Sequence, residues 1–391
     1  MTEAVIVDAV RTPFGKQDGV FSNVHPQDLG AAPLLALEER VGFDPAEDIE
    51  DVAYGCVTPK GKQGYNIARL VSLVAGWDVD VPGVQVNRQC GSGQQAINQQ
   101  AANVRAGFHD CVIAGGVEHM TAEPMGSDGD FSTMSDRYTE RFELVPQGES
   151  AERIADEWGF ERDDVDELAA DSQQRMGEAM EQGYYDSQLV PVEAEVSVDD
   201  GEDGETESVV VEEDEHPRPG TTPEKIAKLP PVFRGDGVIT AANSSGIVDG
   251  SSAVLLASQD KAEEEGWEPR ARIVDVAVAG VDPVMMLTGP IPSTQRVLER
   301  NDMSVDDIDV FECNEAFASV VLAWMEETGA PWDKTNVNGG AIAHGHPLGA
   351  TGSALVTKLV HELERRGDRY GLSTMCIGFG QGIATIVERL D

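Results

Sequence analysis

The chain has 391 residues, with 71 Asp and Glu against 28 Lys and Arg, a formal net charge of −43. That balance excludes a general nucleic-acid binder, which needs a basic face to meet phosphate, and argues against docking on an anionic membrane. No run approaches the ~18 apolar residues of a membrane-crossing helix, and the start, Met1-Thr2-Glu3-Ala4-Val5-Ile6-Val7-Asp8, has no basic n-region of a signal peptide.

At 40% hydrophobic the chain can bury a large core, and its length suggests two or three domains. Short apolar strands alternate with amphipathic helices, which predicts α/β architecture with buried sheets. Val5 to Val10 reads as a strand and Ala31 to Arg40 as a helix. Cys90-Gly91-Ser92-Gly93 opens the helical run Gln94–Ala106, and a strand follows at Cys111–Gly116. Asp164–Gln182 reads as a helix with acids in its first turn. Residues 193–215 hold twelve acids and no base, broken by Gly201 and Gly204. They read as a solvated acidic hairpin or loop, and their spacing matches no calcium loop. The sign then changes: Arg218, Lys225, Lys228 and Arg234 stand against Glu224 alone, a basic island that points to a bound anion. Further on, His346-Pro347-Leu348-Gly349-Ala350-Thr351-Gly352 opens the helical run Ser353–Glu364, and a strand follows at Leu372–Ile377. The two small-residue turns form a weak internal repeat. It predicts a pseudo-two-fold unit with Cys90 and His346 at equivalent helix N-termini, facing one another.

The acid excess runs along nearly the whole chain, and only 8 of the 28 bases are Lys. Self-repulsion at this density weakens a compact fold in dilute buffer, and salt screens it. The expected setting is the cytosol of a salt-loaded cell. The five cysteines, Cys56, Cys90, Cys111, Cys313 and Cys376, are odd in number, far apart and without a C-x-x-C pair. They form neither a disulfide framework nor a zinc site, so each is a buried small residue or a reactive thiol.

A thiol at a helix N-terminus sits in the positive end of the helix dipole, which should lower its pKa and favour the nucleophilic thiolate. The glycines flanking Cys90 should let a substrate approach the backbone. Cys90 alone is more often a core thiol; with His346 as its base it becomes a nucleophile. Cys376 closes a strand and enters Gly378-Phe379-Gly380-Gln381-Gly382, a turn whose amides could stabilise an oxyanion. Asn314 in Asn314-Glu315-Ala316-Phe317-Ala318 reads, by itself, as the cap of a starting helix. An HxH pair with a distant cysteine (His344, His346, Cys376) is weak evidence for a metal, and none is expected.

Four segments resemble the signature segments of thiolases, in the family's order. They are Val86-Asn87-Arg88-Gln89-Cys90-Gly91-Ser92-Gly93, Asn314-Glu315-Ala316-Phe317-Ala318, the run from Gly339 through His346-Pro347-Leu348-Gly349 to Gly352, and Cys376-Ile377-Gly378-Phe379-Gly380-Gln381-Gly382. Further matches extend the resemblance over essentially the whole chain. It implies an acyltransferase that cleaves 3-oxoacyl-CoA with CoA or joins two acyl-CoA molecules in reverse. Cys90 would become acylated, His346 would activate it and help polarise the carbonyl, and Cys376 would shuttle a proton at the α-carbon. Asn314 would hold a water completing one oxyanion hole with His346, and the Cys90 and Gly378 amides would form the second. Coenzyme A would be a substrate, with no tightly bound cofactor. Arg218, and Lys225 or Lys228, would meet its phosphates, and Ser245 its pantetheine arm.

The implied fold is α/β: two similar βαβαβαββ halves in an αβαβα arrangement. The first half would be 1–118 plus 250–268, an inserted loop domain 119–249, and the second half 269–391. Such enzymes are usually homodimers or homotetramers. Pro146-Gln147-Gly148-Glu149 stands where many biosynthetic members have His-Met-Gly, and Phe379 replaces a small residue or leucine. These segments lean toward degradative 3-ketoacyl-CoA thiolases. The rivals are a biosynthetic acetyl-CoA C-acetyltransferase, a decarboxylating ketoacyl synthase and a non-catalytic lipid-binding member of the fold. His344 reads as packing.

Overall fold

The computed structural model describes residues 2–197 and 206–390. Ten strands form one continuous sheet. In chain order they are β1 (Ala4–Arg11), β2 (Gly15–Lys16), β3 (Asp51–Gly55), β4 (Gly83–Val86), β5 (Cys111–His119), β8 (Val248–Ser258), β9 (Ala271–Gly280), β10 (Val310–Cys313), β11 (Tyr370–Ile377) and β12 (Gln381–Arg389). Two more, β6 (Val192–Ser197) and β7 (Thr206–Val211), make a separate antiparallel hairpin.

The repeat read from the sequence is visible in the pairing. In the first half β1 and β5 flank β8 antiparallel, and β3 runs parallel to β5. In the second, β9 and β11 flank β12 antiparallel, and β10 runs parallel to β11. The halves join where β1 meets β9 through two residue pairs, Val5↔Arg272 and Ile6↔Ala271.

Both faces of the central strands β1, β5, β8 and β11 are covered, so they read as buried, largely apolar runs and not as alternating ones, with their charged residues mostly near the strand ends. Val5, Val7 and Val10 of β1 point to the cluster built with Leu34 and Leu37, whereas Ala4, Ile6 and Ala9 point to the one built with Ile97, Val104, Val356 and Val360. The central helices Ser92–Ala106 and Leu348–Arg366 pack on each other and on strands of both halves. Helix Pro26–Val41 covers the outside of the first half, and helix Pro290–Arg300 that of the second. The result is the five-layer αβαβα order.

Helix boundaries moved where local chemistry decides them. The first helix begins at Pro26, because proline at the first position pre-sets φ, and His25 caps Gln27. The Arg162–Glu181 helix begins two residues early, because Glu161 and Asp164 form a reciprocal capping box.

The acidic segment is less solvated than its composition suggested. Residues 198–205 lie outside the described ones. In the hairpin Glu193 and Glu195 face out, while Val192, Ala194 and Val211 pack against Phe21, Val24 and Leu29. Asp214 is buried and grips Arg11 with two bonds of 2.7 and 2.8 Å.

Candidate active site

Four chain segments converge where the two central helices begin. The first is a tight elbow after β4. Asn87 Oδ1 accepts from the Gln89 amide at 2.9 Å, Ser92 Oγ accepts from the Arg88 amide at 2.9 Å, and Gln89 takes φ 48°. The elbow presents Cys90, 5% exposed, among Val57, Met120, Leu348, Met375 and Ile377. The flanking glycines also serve the protein's own packing. A Cβ on Gly91 would sit 2.5 Å from Ile377 Cδ1, and one on Gly93 2.7 Å from the Gly349 oxygen. Glycine here lets the two helix N-termini and the β11 end close on one another.

The second segment carries His346, buried, one residue before the Pro347 that caps the Leu348–Arg366 helix. Thr351 Oγ1 donates to the Pro347 carbonyl at 2.8 Å, so its lone pairs face His346 Nδ1 at 2.6 Å. This assigns the proton to Nδ1 and leaves Nε2 as the basic nitrogen. Nε2 lies 3.3 Å from the Asn314 side-chain nitrogen, which donates to it. Burial pulls the imidazole down to about 4, so it is neutral near pH 7.

Asn314 follows β10 and is no helix cap. The next helix, Ala318–Thr328, starts four residues later behind Phe317, with no side-chain cap. Its Oδ1 is buried without a hydrogen-bond partner among the described residues, so the amide has an acceptor to offer a water or substrate beside His346.

The fourth segment is the hairpin between β11 and β12. Cys376 is buried near the end of β11, and Gly378, Phe379 (φ 61°) and Gly380 make the turn. The Gly378 amide and that of Cys90 itself favour the charged form of the Cys90 sulfur. Burial pushes the Cys376 thiol well above its ordinary range, and nearby Cys90 pushes it further. The expected depression of the Cys90 thiol is corrected: its pKa is raised, because burial outweighs the amides that favour the thiolate. The resting pair is therefore a neutral thiol and a neutral imidazole.

Three contributors were missed from sequence. Gln147, at the start of the Gln147–Trp158 helix, places Nε2 3.9 Å from Cys90 Sγ. Glu118, fully buried at the end of β5, accepts from the amides of Val57 (2.8 Å), Thr58 (3.0 Å) and Gly349 (2.9 Å) and from Gln63 Nε2 (3.1 Å). It ties the loop beside Cys90 to the helix behind His346; a charged residue closing an apolar strand was its only signal. Thr351 fixes the histidine tautomer and was legible only as a hydroxyl in the first helical turn.

Ser245 joins the same cluster. Its amide donates to the Ala316 carbonyl at 2.9 Å, and the His346 amide donates to Gly246 at 3.0 Å. Arg218, Lys225 and Lys228 lie outside it, exposed on the surface. Lys225 Nζ donates to the Gly220 carbonyl at 2.5 Å. Arg234, the fourth base of the island, is taken up by Glu149 and Asp156 at 2.8 and 2.6 Å, so it ties its loop to the Gln147–Trp158 helix. His344 is buried edge-on against Phe14 at 5.6 Å, and burial holds it well below the ordinary imidazole range.

The sequence matches the family models for the thiolase N-terminal domain over residues 4–260 and the thiolase C-terminal domain over residues 267–389. It is 44% identical to a steroid 3-ketoacyl-CoA thiolase of Mycobacterium tuberculosis, over 100% of this chain and 95% of that protein. It is 42% identical to a β-ketoadipyl-CoA thiolase of Pseudomonas aeruginosa, over 99% of each. The fold superposes on the crystal structure of a Bacillus anthracis acetyl-CoA acetyltransferase with a TM-score of 0.88 and 37% identity, covering 100% of this chain and 99% of that one.

Proposed function

This chain belongs to the thiolase family, and we propose how its site carries out the reaction. The enzyme is an acyltransferase that cleaves 3-oxoacyl-CoA with CoA to acetyl-CoA and a shortened acyl-CoA, reversibly. The observation that carries the assignment of roles is the set of groups around Cys90: two amides that favour its thiolate, a second thiol beside it and, in the adjoining segment, a buried histidine whose basic Nε2 meets Asn314.

In this reading Cys90 attacks the C3 carbonyl while its proton passes to His346 Nε2. Amides aimed at the sulfur suit the oxygen on the carbon bonded to that sulfur, so Cys90 N–H and Gly378 N–H hold the C3 oxyanion. Collapse breaks C2–C3, and the electron pair becomes the enolate of acetyl-CoA. Its oxygen lies by His346 and Asn314, and the Cys376 thiol delivers a proton to C2. The Cys376 thiolate then takes the proton of an incoming CoA thiol, whose sulfur attacks the acyl-Cys90 thioester. Cys90 leaves and recovers its proton from His346.

Arg218, with Lys225 or Lys228, meets the CoA phosphates, and Ser245 the pantetheine arm. The working state is a homo-oligomer in a high-salt cytosol. No helix among the described residues is long and apolar enough to cross a membrane. For direction, we favour degradation of acyl chains longer than acetyl. Phe379, one residue from Gly378, is 39% exposed and meets exposed Phe131 edge-on at 6.4 Å, an apolar lip beside the reacting carbon. Thiolysis in molar KCl, with acetoacetyl-CoA against a medium-chain 3-oxoacyl-CoA, tests this. A higher kcat/KM for the longer chain is expected. Activity confined to acetoacetyl-CoA would move the enzyme to acetyl-CoA condensation.

A further inference from the structure

We propose that Gln147 is a catalytic residue, a neutral side-chain donor that hydrogen-bonds the Cys90 sulfur and stabilises its thiolate. The inference rests on the reading of Cys90 as the nucleophile and goes beyond the roles implied by the thiolase resemblance. Gln147 Nε2 stands 3.9 Å from Cys90 Sγ, within reach for a donor to the large sulfur acceptor. The same nitrogen lies 3.3 Å from where a Cβ on Gly378 would stand, so the side chain rests against the turn whose amide also favours the charged sulfur. The backbone holds it there. Gln147 opens the helix Gln147–Trp158, and the next residue, Gly148, is pinned under Phe233, whose ring a Cβ would meet at 2.2 Å.

The electrostatics give this donor a task. The groups that favour the charged sulfur are all neutral: the Gly378 amide, the Gln147 amide and the amide of Cys90 itself. The one charged group pressing on Cys90 is the Glu118 carboxyl, which opposes thiolate formation, while burial keeps His346 and Cys376 uncharged near pH 7 and so without a charge to offset it. A thiolate offers only lone pairs, so the amide answers it with N–H. A methionine in its place would fill a similar volume and donate nothing. This chain therefore activates its nucleophile in part with a group from the inserted segment.

The test compares the full-length enzyme with Gln147→Met, near-isosteric without a donor, and Gln147→Glu, which adds an acid. Carboxamidomethylation of Cys90 by iodoacetamide, followed by peptide mass spectrometry, gives its rate against pH. Steady-state thiolysis in molar KCl gives kcat and KM, and thermal melting checks the fold. The expected result for Gln147→Met is a Cys90 alkylation rate lower by about tenfold at pH 8 with the profile moved to higher pH. Its kcat falls by a similar factor, about 1.4 kcal/mol, and KM for CoA stays within about twofold. Gln147→Glu should move the profile further the same way. A profile and kcat unchanged within twofold in folded Gln147→Met overturn the proposal, and so does the opposite shift in Gln147→Glu. Cys90→Ala separates the two readings: if it keeps thiolysis, the nucleophile assignment itself fails. If it is inactive while Gln147→Met is unaltered, only the role of Gln147 falls.

Discussion

Glu118→Gln isolates the contact on which the site's architecture rests. Glu118 Oε2 accepts from Val57 N and Gly349 N, and Oε1 from Thr58 N and Gln63 Nε2, all in a fully buried setting. Glutamine keeps the shape but turns one oxygen into an NH2 that faces two donors. Whichever way the amide sits, two bonds are lost and two buried donors are stranded, each costing about 1–3 kcal/mol. The expected destabilisation is about 4 kcal/mol. It is read as a lower urea midpoint at unchanged slope, in 2 M KCl against wild type. Because Val57 packs on Cys90 and Gly349 lies in the first turn behind His346, kcat should fall as well under conditions where the variant is folded. A loss below about 1 kcal/mol would refute the reasoning, since it would mean that the donors find other acceptors.

His346 gives a pH prediction. Its folded pKa, about 4, lies below the ordinary 6.5, so the base form survives far into acid. The acid limb of kcat/KM should have its midpoint below pH 5, and a midpoint between 6 and 7 would contradict the burial of the imidazole. The sign for stability follows from the unfolded chain binding the proton first. The contribution is complete above pH 6.5 and is lost as pH falls through about 4, on the order of 3 kcal/mol in urea titrations. The net charge of −43 gives another: the melting temperature should rise steadily with KCl into the molar range, as screening relieves self-repulsion. A flat or falling curve would count against the salt-loaded setting.

What was legible in the sequence is what repeats or is local. The elbow at Cys90, the helix start after His346 and the Gly378 turn each announce themselves within a few residues, and the matching turn–helix–strand order anticipated the paired halves. What was hidden depends on partners far along the chain. Gln147 meets a sulfur 57 positions away, and Glu118 gathers donors from residues 57, 58, 63 and 349. That the glycines around Cys90 also let Ile377 and Gly349 pack close was hidden, because these neighbours lie more than two hundred residues on. Arg234 looked like an anion ligand because Glu149 and Asp156, which take it up, belong to the Gln147–Trp158 helix, nearly eighty residues or more before it.

The largest departure, the raised Cys90 thiol, agrees better with the proposed chemistry than the depression expected from the helix N-terminus. A thiolate stabilised by a fixed cation would be abundant but a weaker nucleophile, since nucleophilicity falls with pKa. It would also leave the acyl group too readily. Thiolysis exchanges one thioester for another, so the acyl-cysteine should lie near its reactants in energy in both directions. A thiol raised by burial and a histidine held neutral by the same burial keep the proton on sulfur until a carbonyl arrives, and donors that carry no charge favour the thiolate too weakly to release it sooner. The oxyanion then forms where the Gly378 and Cys90 amides already point, and the stabilisation is felt mainly as charge moves off the sulfur onto the substrate.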